Sequence, residues 1–188
     1  MSHIAVGILL AAGKSQRFNS NKLLHPIVNN TPMLLVAAQK LANVLPDSIV
    51  VISPRLQPFT EQLEQLGLRV VVNQQAEQGM GSSIACGVKA SQYASGWLIA
   101  LADMPYIKSE THTLLAGKLA EGAKMVAPQF NQQRGHPVGF SNVYLDELLL
   151  LNKDIGARNI IKSHQEQLEL ILTDDEGVIR DIDYPDDV

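Results

Sequence analysis

Five apolar runs of strand length carry almost no polar alternation: HIAVGILLA (3–11), SIVVIS (48–53), LRVVVN (68–73), GWLIALAD (96–103) and AKMVAPQ (123–129). A strand with one face in water alternates apolar and polar residues, whereas a strand covered on both faces does not. Between the runs lie helix patterns at 32–44, 57–66, 82–92 and 109–121. Thr31 is a cap candidate with Pro32 at the first helical position, and Gly67 closes the second helix. This alternation predicts an α/β fold: a doubly wound, mostly parallel sheet with helices on both faces, its ligands in the crevice beyond the carboxyl ends of the strands. After residue 130 the pattern changes. HPVGF (136–140) reads as a short strand, NVYLDELLLL and GARNIIKSH as helices, and LELIL with VIRDID as a closing hairpin or edge pair, a small C-terminal antiparallel addition. No repeat, low-complexity tract or linker interrupts the 188 residues, so a single domain over 1–188 is expected.

The composition excludes several function classes. With 46% hydrophobic and 18% charged residues the chain has the make-up of a folded globular protein, and its net charge of −4 leaves no basic footprint for nucleic acid. Cys86 is the single cysteine, which excludes an internal disulfide and argues against a cysteine-based metal site; a reducing, cytoplasmic setting is expected. The apolar start lacks the basic lead-in of a signal peptide and is too short to span a bilayer, so no membrane association is expected.

The stretch GILLAAGKSQRF (7–18) contains Gly13-Lys14-Ser15, as a P-loop does. A P-loop needs four residues between its glycines, where its backbone N–H groups wrap a phosphate. Here five residues separate Gly7 from Gly13, and Ile8, Leu9 and Leu10 belong to a strand. A Rossmann fingerprint fails as well, since no G-x-G-x-x-G follows the strand. What remains is a strand ending in Ala11, Ala12 and Gly13, small enough for close backbone approach to a ligand, followed by the cations Arg17 and Lys22. A glycine turn with two solvated cations reads the same residues equally well.

LAAGKSQRF followed by Lys22 resembles the signature L-A-A-G-x-S-x-R-F…K of the MobA/MocA-like nucleotidyltransferases, and LAAG in place of LAGG resembles the molybdenum cofactor cytidylyltransferase branch. GMGSSIACGV (79–88), LADMP (101–105), RGHPVGF (134–140), DIGARNII (154–161) and DIDYPDD (181–187) resemble further family segments in the same order. The resemblance implies a Mg²⁺-dependent transfer of CMP from CTP, or of another nucleotide from its triphosphate, to the phosphate of a molybdopterin-type acceptor, with a recipient molybdoenzyme as a further partner. Its catalytic residues would be Arg17, Lys22 and Asp103. Leu10, Ala11, Ala12, Gly13, Asn73, Gly79, Met80, Gly81, Ser82 and Ser83 would complete the nucleotide site. Arg134, Gly135, His136, Pro137 and Arg158 would hold the acceptor, although a salt bridge at its helix end reads Arg158 equally well.

Asp103 ends a buried run, where a carboxylate reaches the expected crevice, and Mg²⁺ is commonly held by one or two carboxylates plus substrate phosphates. A turn or cap aspartate before Met104-Pro105 is the alternative. The resemblance adds Asp183 as a second metal ligand, although Tyr184 stands where the family more usually has Thr; Asp186 and Asp187 read as a solvated tail. Ser82 and Ser83 would cap the helix that follows, whose free N–H groups would face the crevice, and Gly81 stands where the family often has Ser. Ala12 would leave less room for a purine than the glycine of LAGG. A guanylyl or sugar-phosphate transferase, or a non-catalytic carrier of the molybdenum cofactor, are the alternative functions.

Overall fold

The structure, a computed structural model, describes residues 5–13, 22–154 and 156–183. Its first half runs β1 (Ala5–Ala11), β2 (Pro26–Val28), β3 (Thr31–Pro32), α1 (Met33–Val44), β4 (Ile49–Ile52), α2 (Thr60–Gln65), β5 (Arg69–Val72), α3 (Met80–Ala90) and β6 (Gly96–Leu101). The second half runs α4 (Ser109–Ala120), β7 (Met125–Phe130), β8 (Gln133–Arg134), β9 (Val138–Ser141), α5 (Leu145–Leu149), α6 (Arg158–Ser163) and β10 (Leu168–Leu172). The main sheet has the order β10-β7-β9-β6-β1-β4-β5, with β8 paired to β7. Pairs β1–β4, β1–β6, β4–β5 and β7–β10 are parallel, while β9 runs antiparallel to both β6 and β7.

The unalternated runs follow from burial on both faces. Val6, Ile8 and Leu10 of β1 join Ile84 and Val88 of α3, Leu148 of α5 and Ile160 of α6 in one layer. Leu9 and Ala11 point the other way, to Met33, Leu34 and Leu41 of α1, Leu63 of α2 and Leu115 of α4. Trp97 of β6 is fully buried, and its indole N–H donates to Ser91 Oγ at 3.0 Å, so its one polar atom is satisfied.

Three local expectations are corrected. Thr31 does not cap α1 and Pro32 is not its first helical residue: both form β3, which pairs with β2 around Asn29-Asn30, whose φ values of 48° and 60° make the left-handed turn of a tight hairpin, and Pro32 immediately precedes α1 as its N-cap residue. The third long helix begins at Met80, so Ser82 and Ser83 lie inside its first turn instead of capping it. The segment VIRDID forms no hairpin with LELIL. β10 is an edge strand parallel to β7, and residues Glu176–Ile179 form a short 3₁₀ turn. That turn is enforced by Asp175, whose Oδ1 accepts from Gly177 N at 3.0 Å. The hydrogen-bonding groups beyond it meet partners outside any strand ladder: His136 N donates to Val178 O and Ile182 N donates to Asp103 O. The antiparallel element of the C-terminal half is β9, with β8.

Asp175 is 2% exposed and also accepts from Lys108 N at 2.8 Å and Thr111 Oγ1 at 2.6 Å, joining the C-terminal segment to the start of α4. Asp175→Ala leaves these buried donors without a partner and should cost about 2–4 kcal/mol, seen as a lower urea midpoint, while Thr111→Val, which removes one bond, should cost about 1 kcal/mol.

Candidate active site

β1 and β6 are adjacent and parallel where the strand order reverses, so their carboxyl ends border a shared crevice. Ala102 N donates to Leu10 O at 3.1 Å and extends the pairing past the end of β6. The cleft beyond has a volume of about 350 Å³. Leu10, Ala12 and Gly13 line it from β1, Gly79, Met80 and Ser83 from the start of α3, and Asp103 and Lys22 from the floor, together with Ala76, Leu101 and Asp154. Ala11 faces the opposite layer. Arg17 lies outside the described residues.

Lys22 Nζ is 2.8 Å from Asp103 Oδ2, 2.9 Å from Asp183 Oδ1 and 3.1 Å from the carbonyl oxygen of Ile182. Burial opposes its charge, but hydrogen bonds to the two aspartates and their charges outweigh this and hold the ammonium above its ordinary pKa. Residues 81 and 161 positions away in sequence thus meet at one cation. The two carboxylates expected to hold a metal converge on a point that a single cation can touch. Among the described residues no group of three or more His, Cys, Asp or Glu side chains gathers to bind a metal. A two-carboxylate site suits Mg²⁺, which keeps waters and takes further oxygens from phosphate, and does not suit a metal that needs a full protein cage.

Asn73 does not line this cleft. It is 5% exposed, and its amide nitrogen donates to Ser82 Oγ at 3.0 Å and Ser83 Oγ at 3.1 Å while its oxygen accepts from Gln75 N. Ser82 in turn donates to the carbonyls of Gln75 and Gly79. These bonds shape the loop that opens α3. Gly81 is equally indirect: its N–H donates to Lys153 O at 2.8 Å and so does not face the cleft, and a Cβ there would lie 2.7 Å from that same oxygen. Segment 152–154 packs directly on this helix start and leaves no room for a side chain at position 81. Asp154 reaches the cleft by this packing. The sequence reading named DIGARNII but singled out only Arg158 from it.

A second cleft of about 180 Å³ adjoins the first, sharing Leu10, Met80 and Leu101. Arg134, His136 and Arg158 line it against the apolar wall of Ile84, Ile99, Val138 and Phe140. Gly135 and Pro137 are buried beside it, Gly135 packing against Val178. Partial burial, and then the charge of Arg158, push the Arg134 guanidinium below its ordinary pKa. Nδ1 of His136 is enclosed without a hydrogen-bond partner. Burial, with Arg134 adding repulsion, lowers the His136 pKa to about 4, so the ring is neutral near pH 7.

Two outcomes follow from this geometry. Gly81→Ser should cost about 1–3 kcal/mol through the clash with segment 152–154, measured by urea unfolding. Because the folded state holds His136 neutral down to about pH 4 while the unfolded chain protonates near 6.5, its contribution is complete above 6.5 and is lost as pH falls toward 4. His136→Gln should therefore flatten the stability profile between those values by up to about 3 kcal/mol, with the remaining acid slope including His112, whose pKa burial also lowers.

The family described as MobA-like NTP transferase domain matches residues 7–168. The purine catabolism protein PucB of Bacillus subtilis is 29% identical over 97% of this chain and 93% of its own length. Nicotine blue oxidoreductase of Paenarthrobacter nicotinovorans is 27% identical, covering 94% and 91%. A probable molybdenum cofactor guanylyltransferase of Thermococcus gammatolerans is 28% identical over 63% of this chain and 59% of its own. Among solved structures, the manganese complex of Rv0371c from Mycobacterium tuberculosis superposes with a TM-score of 0.79 at 21% identity, over 98% of this chain and 95% of that one. Fold order, the cleft at the β1–β6 switch and the family match agree: the chain belongs to the MobA-like NTP transferases.

Proposed function

We propose that this protein transfers a cytidylyl group from CTP to the phosphate of a molybdopterin-type acceptor, releasing pyrophosphate. The observation that carries the reading is the convergence of Asp103 and Asp183 on Lys22 at a cleft that Ala12 and Gly13 also line. An oxygen of the acceptor phosphate attacks the α-phosphorus, the bond from that phosphorus to the β-phosphate's bridging oxygen breaks, and pyrophosphate carries away the electron pair. Such transfers depend on holding the two phosphates in line and neutralising developing charge more than on covalent chemistry by the protein. Asp103 and Asp183 would hold Mg²⁺, which supplies charge neutralisation on the triphosphate. The manganese found with Rv0371c supports a divalent ion in this fold.

Lys22 and Arg17 serve the triphosphate in this reading, and Gly79, Met80 and Ser83 flank the nucleoside. Arg134 and Arg158 offer two cations to the acceptor phosphate, and the apolar wall of the second cleft suits a ring system beside it. The two clefts share Leu10, Met80 and Leu101, which supports an acceptor bound beside the nucleotide in this reading. No general base is required, since a phosphate acceptor is anionic near neutral pH.

A guanylyl transferase is the second reading, favoured by the Thermococcus relative. Ala12, 5% exposed and on the wall of the cleft, speaks for the smaller base.

Pyrophosphate release measured with purified acceptor and CTP, GTP and ATP side by side tests the reading: CTP should be preferred, and a failure of all three to release pyrophosphate would refute it. Asp103→Asn should lower the rate by at least about 10²-fold with the fold intact. Ala12→Gly should raise the use of GTP relative to CTP by about tenfold.

A further inference from the structure

The three N–H donors of the Lys22 ammonium have three oxygens to meet, on Asp103, Asp183 and Ile182. A lysine has no further donor to give, so in this arrangement Lys22 has none left for a phosphate. Its ammonium also stands between the two carboxylates that a metal would need. A divalent ion placed there beside Lys22 would meet a like charge at short range. Withdrawing Lys22 alone would take from Asp103 and Asp183 the cation that both of them touch. Neither step is favourable by itself, whereas the exchange of both together is. A triphosphate offers the lysine new anionic partners in the same cleft, and its metal replaces the charge that the lysine withdraws. The four-carbon stem of lysine allows the move without backbone change, and the side chain already lines the cleft with Gly13.

We propose that Lys22 is the resident counter-ion of the metal site: it holds Asp103 and Asp183 before nucleotide binds and yields only when a triphosphate arrives, so that divalent metal enters with the nucleotide and not ahead of it. This rests on the reading of the two aspartates as metal ligands. Metal and triphosphate then raise each other's affinity by the same factor.

Mn²⁺ binding to the full-length protein, followed by the paramagnetic resonance signal of the free ion, tests the proposal without turnover. For the wild type, affinity for Mn²⁺ alone should be at least about tenfold weaker than with saturating α,β-methylene CTP, after subtraction of the analogue's own chelation. Lys22→Met should bind Mn²⁺ alone at least about tenfold more tightly than the wild type, and Lys22→Arg, which keeps the charge, should not. Equal wild-type affinities with and without the analogue would overturn the proposal even if Lys22→Met failed to fold. So would a folded Lys22→Met that binds Mn²⁺ no better than the wild type. Asp103→Asn separates the two readings. If it leaves Mn²⁺ binding intact in every arm, the metal assignment itself falls; if it abolishes binding while Lys22→Met gains nothing, the counter-ion role alone falls.

Discussion

The parallel pairing of β1 and β6, in register from Ala5–Gly96 to Leu10–Leu101, is the constraint on which the rest of the site depends. The two strands lie side by side although the β2–β3 hairpin, α1, β4, α2, β5 and α3 separate them in the chain, because β4 and β5 lie on the other side of β1. Helices α1 and α3 accordingly pack on opposite layers. The carboxyl ends of β1 and β6 lie at this reversal of strand order, where a doubly wound sheet leaves a crevice. Gly13 and Asp103 face each other across it because each follows directly on one of these strands.

The C-terminal segment completes what the sheet begins. Asp175 fastens it to the start of α4, Val178 O accepts from His136 N at 2.8 Å, and Ile182 N donates to Asp103 O at 2.9 Å. Arg180 stacks its guanidinium 4.4 Å from the Tyr106 ring, over the loop that follows Asp103. On the other flank Lys40 of α1 donates to the carbonyls of Pro105 and Ile107. One extended strap therefore touches both clefts and delivers Asp183 to Lys22. Its polar backbone groups are satisfied by loop partners, which is why it needs no place in the sheet.

Segment 152–154 plays the matching part at the nucleoside end. Its close packing on Gly79 and Gly81 leaves no space for side chains there and turns Asp154 into the cleft. Asn73, Ser82 and Ser83 build the same corner from beneath through buried hydrogen bonds. Residues of one motif thus divide between those that line the cleft and those that hold its wall.

The doubly wound sheet was legible in the chain because burial on both faces erases polar alternation, a local property that each run carries by itself. So were Gly13, Lys22 and Asp103, since each sits within a few residues of a strand end or within a recognisable motif. Other features depended on partners distant in sequence. The Asn29-Asn30 hairpin has a local signal in its two turn-forming residues, but Thr31-Pro32 also fits the start of the helix that follows at Met33, and only the pairing with β2 makes the two residues a strand. The path of residues 176–183 was decided by donors on Gly177, His136 and Lys22, and the composition of VIRDID does not reveal them. Likewise Asp154 enters the cleft, and position 81 has room only for glycine, because segment 152–154 folds back on α3. Short-range periodicity specifies which residues are strands and helices, but the meeting of Lys22 with Asp103 and Asp183 is a property of chain closure, set by hydrogen bonds and charges that exist only once the sheet is assembled.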